Sequence, residues 1–125
     1  MKKIFLLLLI LFLGCNNSDI KLKTVDASDI NNQIKKHKGS KAVLINFWAT
    51  YCVPCIEEFP MIVDLSKKYS EKGMQIYFVS ADWLDRKKEV RDFLLEKDVK
   101  GLSFIKEEGN DNNFINEISR EWSGA

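Results

Sequence analysis

Histidine occurs once in this chain of 125 residues, proline twice and cysteine three times. Each scarcity removes a class of function. His37 is the only imidazole, and only one pair of cysteines is closely spaced. Two thiolates supply half of a tetrahedral zinc shell, so a metal site within one chain is not expected. Basic and acidic residues nearly balance, at 19 against 18, for a net charge of +1. Nothing there argues for nucleic acid or for docking on an acidic partner. The longest apolar run, residues 4–13, is too short to cross a bilayer as a helix. There is no internal repeat. Both prolines, Pro54 and Pro60, fall close together.

What is present suffices for one domain. Hydrophobic residues make up 46% and charged residues 30%. That balance buries a core and solvates a surface. The informative stretch is residues 46–55, Asn-Phe-Trp-Ala-Thr-Tyr-Cys-Val-Pro-Cys. An apolar segment precedes it and an amphipathic one follows. So Cys52 and Cys55 sit where a buried strand gives way to a helix, and that context makes C-x-x-C a redox pair. A helix N-terminus favours a thiolate at Cys52, because free N–H groups and the helix dipole attract negative charge. Only a thiolate attacks a disulfide, and Cys55, one turn on, is placed to resolve the mixed disulfide. Pro54 fits the first helical turn, where its missing N–H costs nothing. Val53 adds no charge between the cysteines.

Residues Phe47, Trp48, Ala49, Thr50, Cys52, Pro54, Cys55, Glu58 and Pro60 make up F-W-A-T-x-C-x-P-C-x-x-E-x-P. This resembles the TlpA-like branch of the thioredoxin superfamily, membrane-anchored thiol–disulfide oxidoreductases. The resemblance runs from about residue 42 to the C-terminus. It implies a thioredoxin-like α/β fold, with a βαβ core and C-x-x-C at a helix N-terminus. It also implies Cys52 as nucleophile, Cys55 as resolving thiol, Trp48 and Pro54 as supporting residues, and no cofactor beyond a redox-active Cys52–Cys55 disulfide. Glu58 matches a carboxylate that tunes thiol ionisation in some members. Its spacing from Cys55 puts it on the same side of a helix. A partly buried carboxylate there would exchange protons with the thiols. A solvated first-turn glutamate fits the spacing equally.

Cys15 belongs to a different pattern. Two lysines open the chain, the apolar run follows, and Gly14-Cys15 precedes polar residues. This is the layout of a signal peptide. A small residue directly before a cysteine resembles a bacterial lipoprotein signal, in which that cysteine is lipidated. Residues 1–14 are therefore expected to be a lipoprotein signal peptide, 15–27 a tether and 28–125 the thioredoxin-like domain. An uncleaved anchor, or cleavage elsewhere with Cys15 a spare thiol, also fits. Lipidation and an uncleaved anchor both put Cys52 and Cys55 on the extracytoplasmic side of the cell envelope, where disulfides persist.

Periodicity predicts the elements. Ser28 reads as an N-cap for a helix to residue 38, carrying Ile30, Ile34 and His37. Residues 41–48 and 75–80 read as buried strands, and 56–72 as the helix between them. A helix over 86–97, a strand over 102–106 and a last helix over 114–123 follow. Trp83 either contacts a partner or covers the core. His37 reads as a boundary residue, with a proton relay as the alternative.

The family fold implied by the resemblance continues with a cis-proline loop, a β-hairpin and a closing helix. No proline follows Pro60 here. The domain is therefore expected to lack those parts, as a fragment, a shortened gene product or a minimal version that completes its sheet with a partner. The strand over 41–48 would then be an open apolar edge. The function expected is thiol–disulfide exchange with proteins of the cell envelope, as a reductant fed by a membrane electron donor. The alternative is a thioredoxin-like binding lipoprotein without turnover, or an inactive fragment.

Overall fold

The computed structural model describes residues 20–121. Strands and helices alternate along them: β1 (Lys21–Val25), α1 (Ala27–Lys35), β2 (Ala42–Trp48), α2 (Val53–Tyr69), β3 (Met74–Ser80), α3 (Lys87–Glu96), β4 (Leu102–Lys106) and α4 (Asp111–Ile118). A single 3-10 turn, Leu84–Arg86, leads into α3. The four strands form one parallel sheet in the order β1-β4-β3-β2.

Side-chain alternation on β3 explains the layers. Ile76 and Phe78 face a cluster that includes Trp48, Phe59 and Val63, together with Val90 and Leu94 of α3. Tyr77 and Val79 face the opposite cluster, with Val25, Ile30 and Phe104, and with Ile34, Phe114 and Ile118 packed against it. Helices α2 and α3 thus cover one face of the sheet, and α1 and α4 the other. Three aromatic rings bind the first layer: Phe59 lies 4.8 Å from Trp48 and 4.9 Å from Phe93, centroid to centroid. Such pairs add about 0.5–1.5 kcal/mol each beyond their burial.

Strand pairing is uneven. β2 and β3 pair along their whole length, from Ala42↔Met74 to Trp48↔Ser80. β3 and β4 pair only at Val79↔Phe104 and Ser80↔Ile105. These pairs gather the strands at their C-terminal ends, where parallel α/β sheets place their functional loops. Cys52, Asp82 and Lys106 all lie just at or beyond those ends.

Several expected boundaries move. Residues 21–25, expected to be tether, are β1, paired with β4 from Lys21↔Leu102 to Val25↔Lys106. Ile20 and Val25 are 1% and 4% exposed, so this short strand is core. Its charged outward residues hid it. Asp26, not Ser28, caps α1: its carboxylate accepts from the Asp29 N–H at 2.7 Å, and Asp29 accepts from the Asp26 N–H in return. α1 stops at Lys35, and the chain turns at Gly39, whose φ of 77° only glycine adopts easily. α4 starts at Asp111, capped by Asn110, and ends at Ile118, short of the expected 123. Among the described residues β2 has β3 as its one strand partner, and residues 43–47 are half-buried. That is the open edge expected for this strand.

Candidate functional site

The Asn46–Cys55 stretch folds as read. β2 ends at Trp48, which is 2% exposed. The backbone then turns, with the Cys52 N–H donating to the Ala49 carbonyl at 3.0 Å. Cys52 is the N-cap of α2, and the Ile56 N–H donates to its carbonyl at 3.0 Å. Cys52 and Cys55 form a disulfide, with Cα atoms 5.3 Å apart. No side chain caps this helix, no acidic residue stands in its first turn, and Pro54 occupies that turn. The N-terminal end of the helix dipole is therefore left to the cysteine sulfurs. Pro60 lies inside α2, which nevertheless continues to Tyr69.

Both cysteines are half-buried and line a cleft of about 280 Å³. Trp48, Tyr51, Phe114 and Ile115 supply apolar wall, and Lys106 and Asp111 supply charge. The Lys106 ammonium, its side chain 9% exposed, pairs with the Asp111 carboxylate at 2.8 Å and donates to the Glu107 carbonyl at 3.0 Å. Large apolar side chains in solvent include Tyr51 at 61% exposure and Val53 at 66%, both next to Cys52 in sequence, and Trp83 at 68%, next to Asp82. Trp83 therefore does not cover the core.

The remaining expected residues fall out differently. Glu58 is exposed and is not among the residues lining the cleft. Of the two readings its spacing allowed, partial burial is absent and Glu58 stands solvated on α2. His37 accepts from or donates to the Tyr77 hydroxyl at 2.8 Å, beside Gln33, and does not line the cleft. Cys15 and the signal-peptide pattern lie outside the described residues. Among the described residues, no group of acidic, histidine or cysteine side chains is arranged to hold a metal ion. No helix there is long and apolar enough to cross a membrane.

Sequence reasoning placed Asp82 in a loop at the end of the second buried strand and gave it no role. It is 1% exposed and follows β3 by two residues. Its carboxylate accepts from the Thr50 N–H at 2.9 Å, from the Thr50 hydroxyl, and from the Ser80 hydroxyl at 2.7 Å. The Ser80 oxygen in turn accepts from the Asp82 N–H at 3.0 Å. The Arg86 Nε lies 3.9 Å from Asp82, buried and without a hydrogen bond. An aspartate in a loop between a strand and a helix is common, and nothing local told of its long-range partner Thr50. Lys106 was equally silent, a single lysine closing a strand.

A parallel α/β sheet with a C-x-x-C disulfide at an uncapped helix start defines a thioredoxin-like protein. The chain belongs to the AhpC/TSA family, whose model matches residues 13–105. It is 41% identical over 68 residues to the thiol-disulfide oxidoreductase ResA of Bacillus thuringiensis subsp. konkukian, covering 54% of this chain and 38% of that protein. It is 38% identical over 82 residues to the thioredoxin-like protein YneN of Bacillus subtilis, covering 64% of this chain and 45% of that one. The chain thus spans less than half the length of these curated relatives. The solution structure of a candidate thiol-disulfide oxidoreductase from Bacteroides vulgatus aligns with a TM-score of 0.48 and 29% identity, over 62% of this chain and 49% of that one.

Proposed function

We propose that this protein exchanges disulfides with other proteins in the cell envelope, with Cys52 as the attacking thiol and Cys55 as the resolving one. The observation that carries this reading is the Cys52–Cys55 disulfide at a helix start that no side chain caps. In the reduced protein the Cys52 thiolate attacks a substrate disulfide. One substrate thiolate leaves, and a mixed disulfide forms. Cys55 then attacks the Cys52 sulfur, releasing the second substrate thiolate. The substrate gains two electrons, and this chain ends as the Cys52–Cys55 disulfide. The proposed direction is reductive, with a membrane-embedded dithiol donor restoring the pair. The protein substrates dock over Tyr51, Val53 and Trp83. The N-terminal pattern supports a signal peptide over residues 1–14, a lipid on Cys15 and an extracytoplasmic position. Glu58, solvated here, enters this reading only as a residue that tunes the thiols once a further element or a docked partner covers it.

Equilibration of the full chain with dithiothreitol at varied ratios tests this, with Cys52 and Cys55 read by alkylation and mass. A reversible, monomeric two-electron transition is expected, with a midpoint reducing enough to serve as a donor. Scrambled oligomers or no defined midpoint would sink the reading.

A further inference from the structure

We infer that Asp82 is a positioning residue for the redox pair, holding Thr50, and through it the turn that delivers Cys52 to the start of α2. This rests on the exchange function proposed above. Three observations carry it. Asp82 is 1% exposed, yet three donors converge on its carboxylate, two of them from Thr50. An ionised carboxylate accepts all three without a conflict of donors. Thr50 lies within the Ala49–Cys52 turn, closed by the Cys52 N–H at the Ala49 carbonyl. And the loop of Asp82 is itself anchored to the same strand end, because the Ala81 N–H donates to the Trp48 carbonyl at 2.8 Å.

The turn is therefore held at both of its neighbouring ends of the sheet, by β2 covalently and by β3 through Asp82. Opening the disulfide removes the covalent tie between Cys52 and Cys55. Asp82 then keeps the Cys52 thiolate against the N–H groups of α2 in the dithiol state. A turn free to drift would lose that alignment, since the influence of a helix start falls off within one turn. The bond to Asp82 thus acts on the thiolate through position. A side chain that only supported the fold would change melting and leave the thiols alone.

The test uses the full chain and five proteins: wild type, Thr50→Val, Thr50→Ser, Asp82→Ala and the Thr50→Val/Asp82→Ala double variant. Thr50→Val removes the hydroxyl donor and keeps the amide and the charge of Asp82. Thr50→Ser keeps both donors. Cys52 reactivity with iodoacetamide against pH reads the thiolate, and the dithiothreitol ratio at half-reduction reads the redox equilibrium. Thr50→Val is expected to raise the apparent Cys52 pKa and to move the half-reduction ratio by about 3- to 10-fold, a fraction of what a hydrogen bond to a charged group supplies. Thr50→Ser is expected to titrate as wild type. Asp82→Ala removes every side-chain acceptor at this position, so Thr50→Val is expected to be silent in that background, as partners in one interaction are. Wild-type pKa and midpoint in Thr50→Val, with only melting lowered, would overturn the inference. So would additivity of the two changes. A wild-type chain with no defined midpoint would overturn the exchange function itself, which separates the two failures.

Discussion

Helices α1 and α2 begin in opposite ways. α1 is closed by a reciprocal capping box, in which Asp26 and Asp29 each accept the other's backbone N–H. Two carboxylates neutralise the positive end of that helix. α2 begins at Cys52 with no side-chain cap and no acidic residue in its first turn. The first arrangement is that of a structural helix. The second leaves its N–H groups and dipole for a charge that appears only when the disulfide opens. The comparison teaches that stability and reactivity compete for the same helix terminus. A cap that strengthened α2 would occupy the place a thiolate needs.

The comparison breaks most completely at the cysteines. Cys52→Ser is expected to lower disulfide exchange by about a thousandfold or more, the scale of removing a nucleophile. Cys55→Ser is expected instead to trap a mixed disulfide with substrate, visible on non-reducing gels. A protein that only bound its partners would keep its binding and phenotype in both variants.

At the other helix, Asp26→Ala removes the cap of α1. Urea unfolding should show a loss of about 0.5–2 kcal/mol. The dithiothreitol midpoint should stay at its wild-type value, because Asp26 does not line the cleft of the disulfide. A shifted midpoint would mean that the two helix starts are not independent.

Val53→Asp sharpens the contrast by giving the first turn of α2 the acid it lacks. Val53 is 66% exposed, so the change needs no repacking. The same carboxylate should act with opposite signs. It should stabilise the oxidised protein by about 0.3–1 kcal/mol through the dipole, and it should raise the Cys52 pKa and slow its alkylation at neutral pH. Stability and alkylation moving together would contradict the competition argued above.

The smallest effect concerns a carboxylate away from both helix starts. Hydrogen bonds from Lys100, first, and from Lys67 hold Asp98 below the usual carboxylate value, at about 2. Its folded value is lowered, so its contribution to stability is present above the unfolded value near 3.8 and is lost as pH falls toward 2. All three side chains are solvent-exposed, so 1 M salt should erase this part of the acid transition. Asp98→Asn should flatten melting temperature against pH in that window and leave the redox midpoint alone.

Much of this was legible in the chain. The run from Asn46 to Cys55 announced strand, turn and helix, because apolar residues, a C-x-x-C pair and Pro54 each constrain the same few residues. β4 was legible at its exact bounds of 102 and 106 from a short apolar run after Gly101. β1 was not. Lys21, Lys23 and Thr24 give it a polar look, and only pairing with β4 and the burial of Ile20 and Val25 show it to be core. Nor was the cap of α1, since Asp26 and Ser28 are equally able to cap and the difference lies in a register of two residues.

The sequence by itself determined the C-x-x-C pair, its place at a helix start and the family that goes with it. These depend on neighbours within about one turn, and local chemistry writes them directly into residue order. Only the tertiary structure decided which side chains share the cleft. Lys106 comes from the end of β4 into the cleft the cysteines line, Asp82 reaches Thr50 from the end of β3, and Glu58 turns out to face solvent. Such contacts join residues some 30 to 50 positions apart. They depend on sheet order and on the shared strand ends, which periodicity along the chain does not encode.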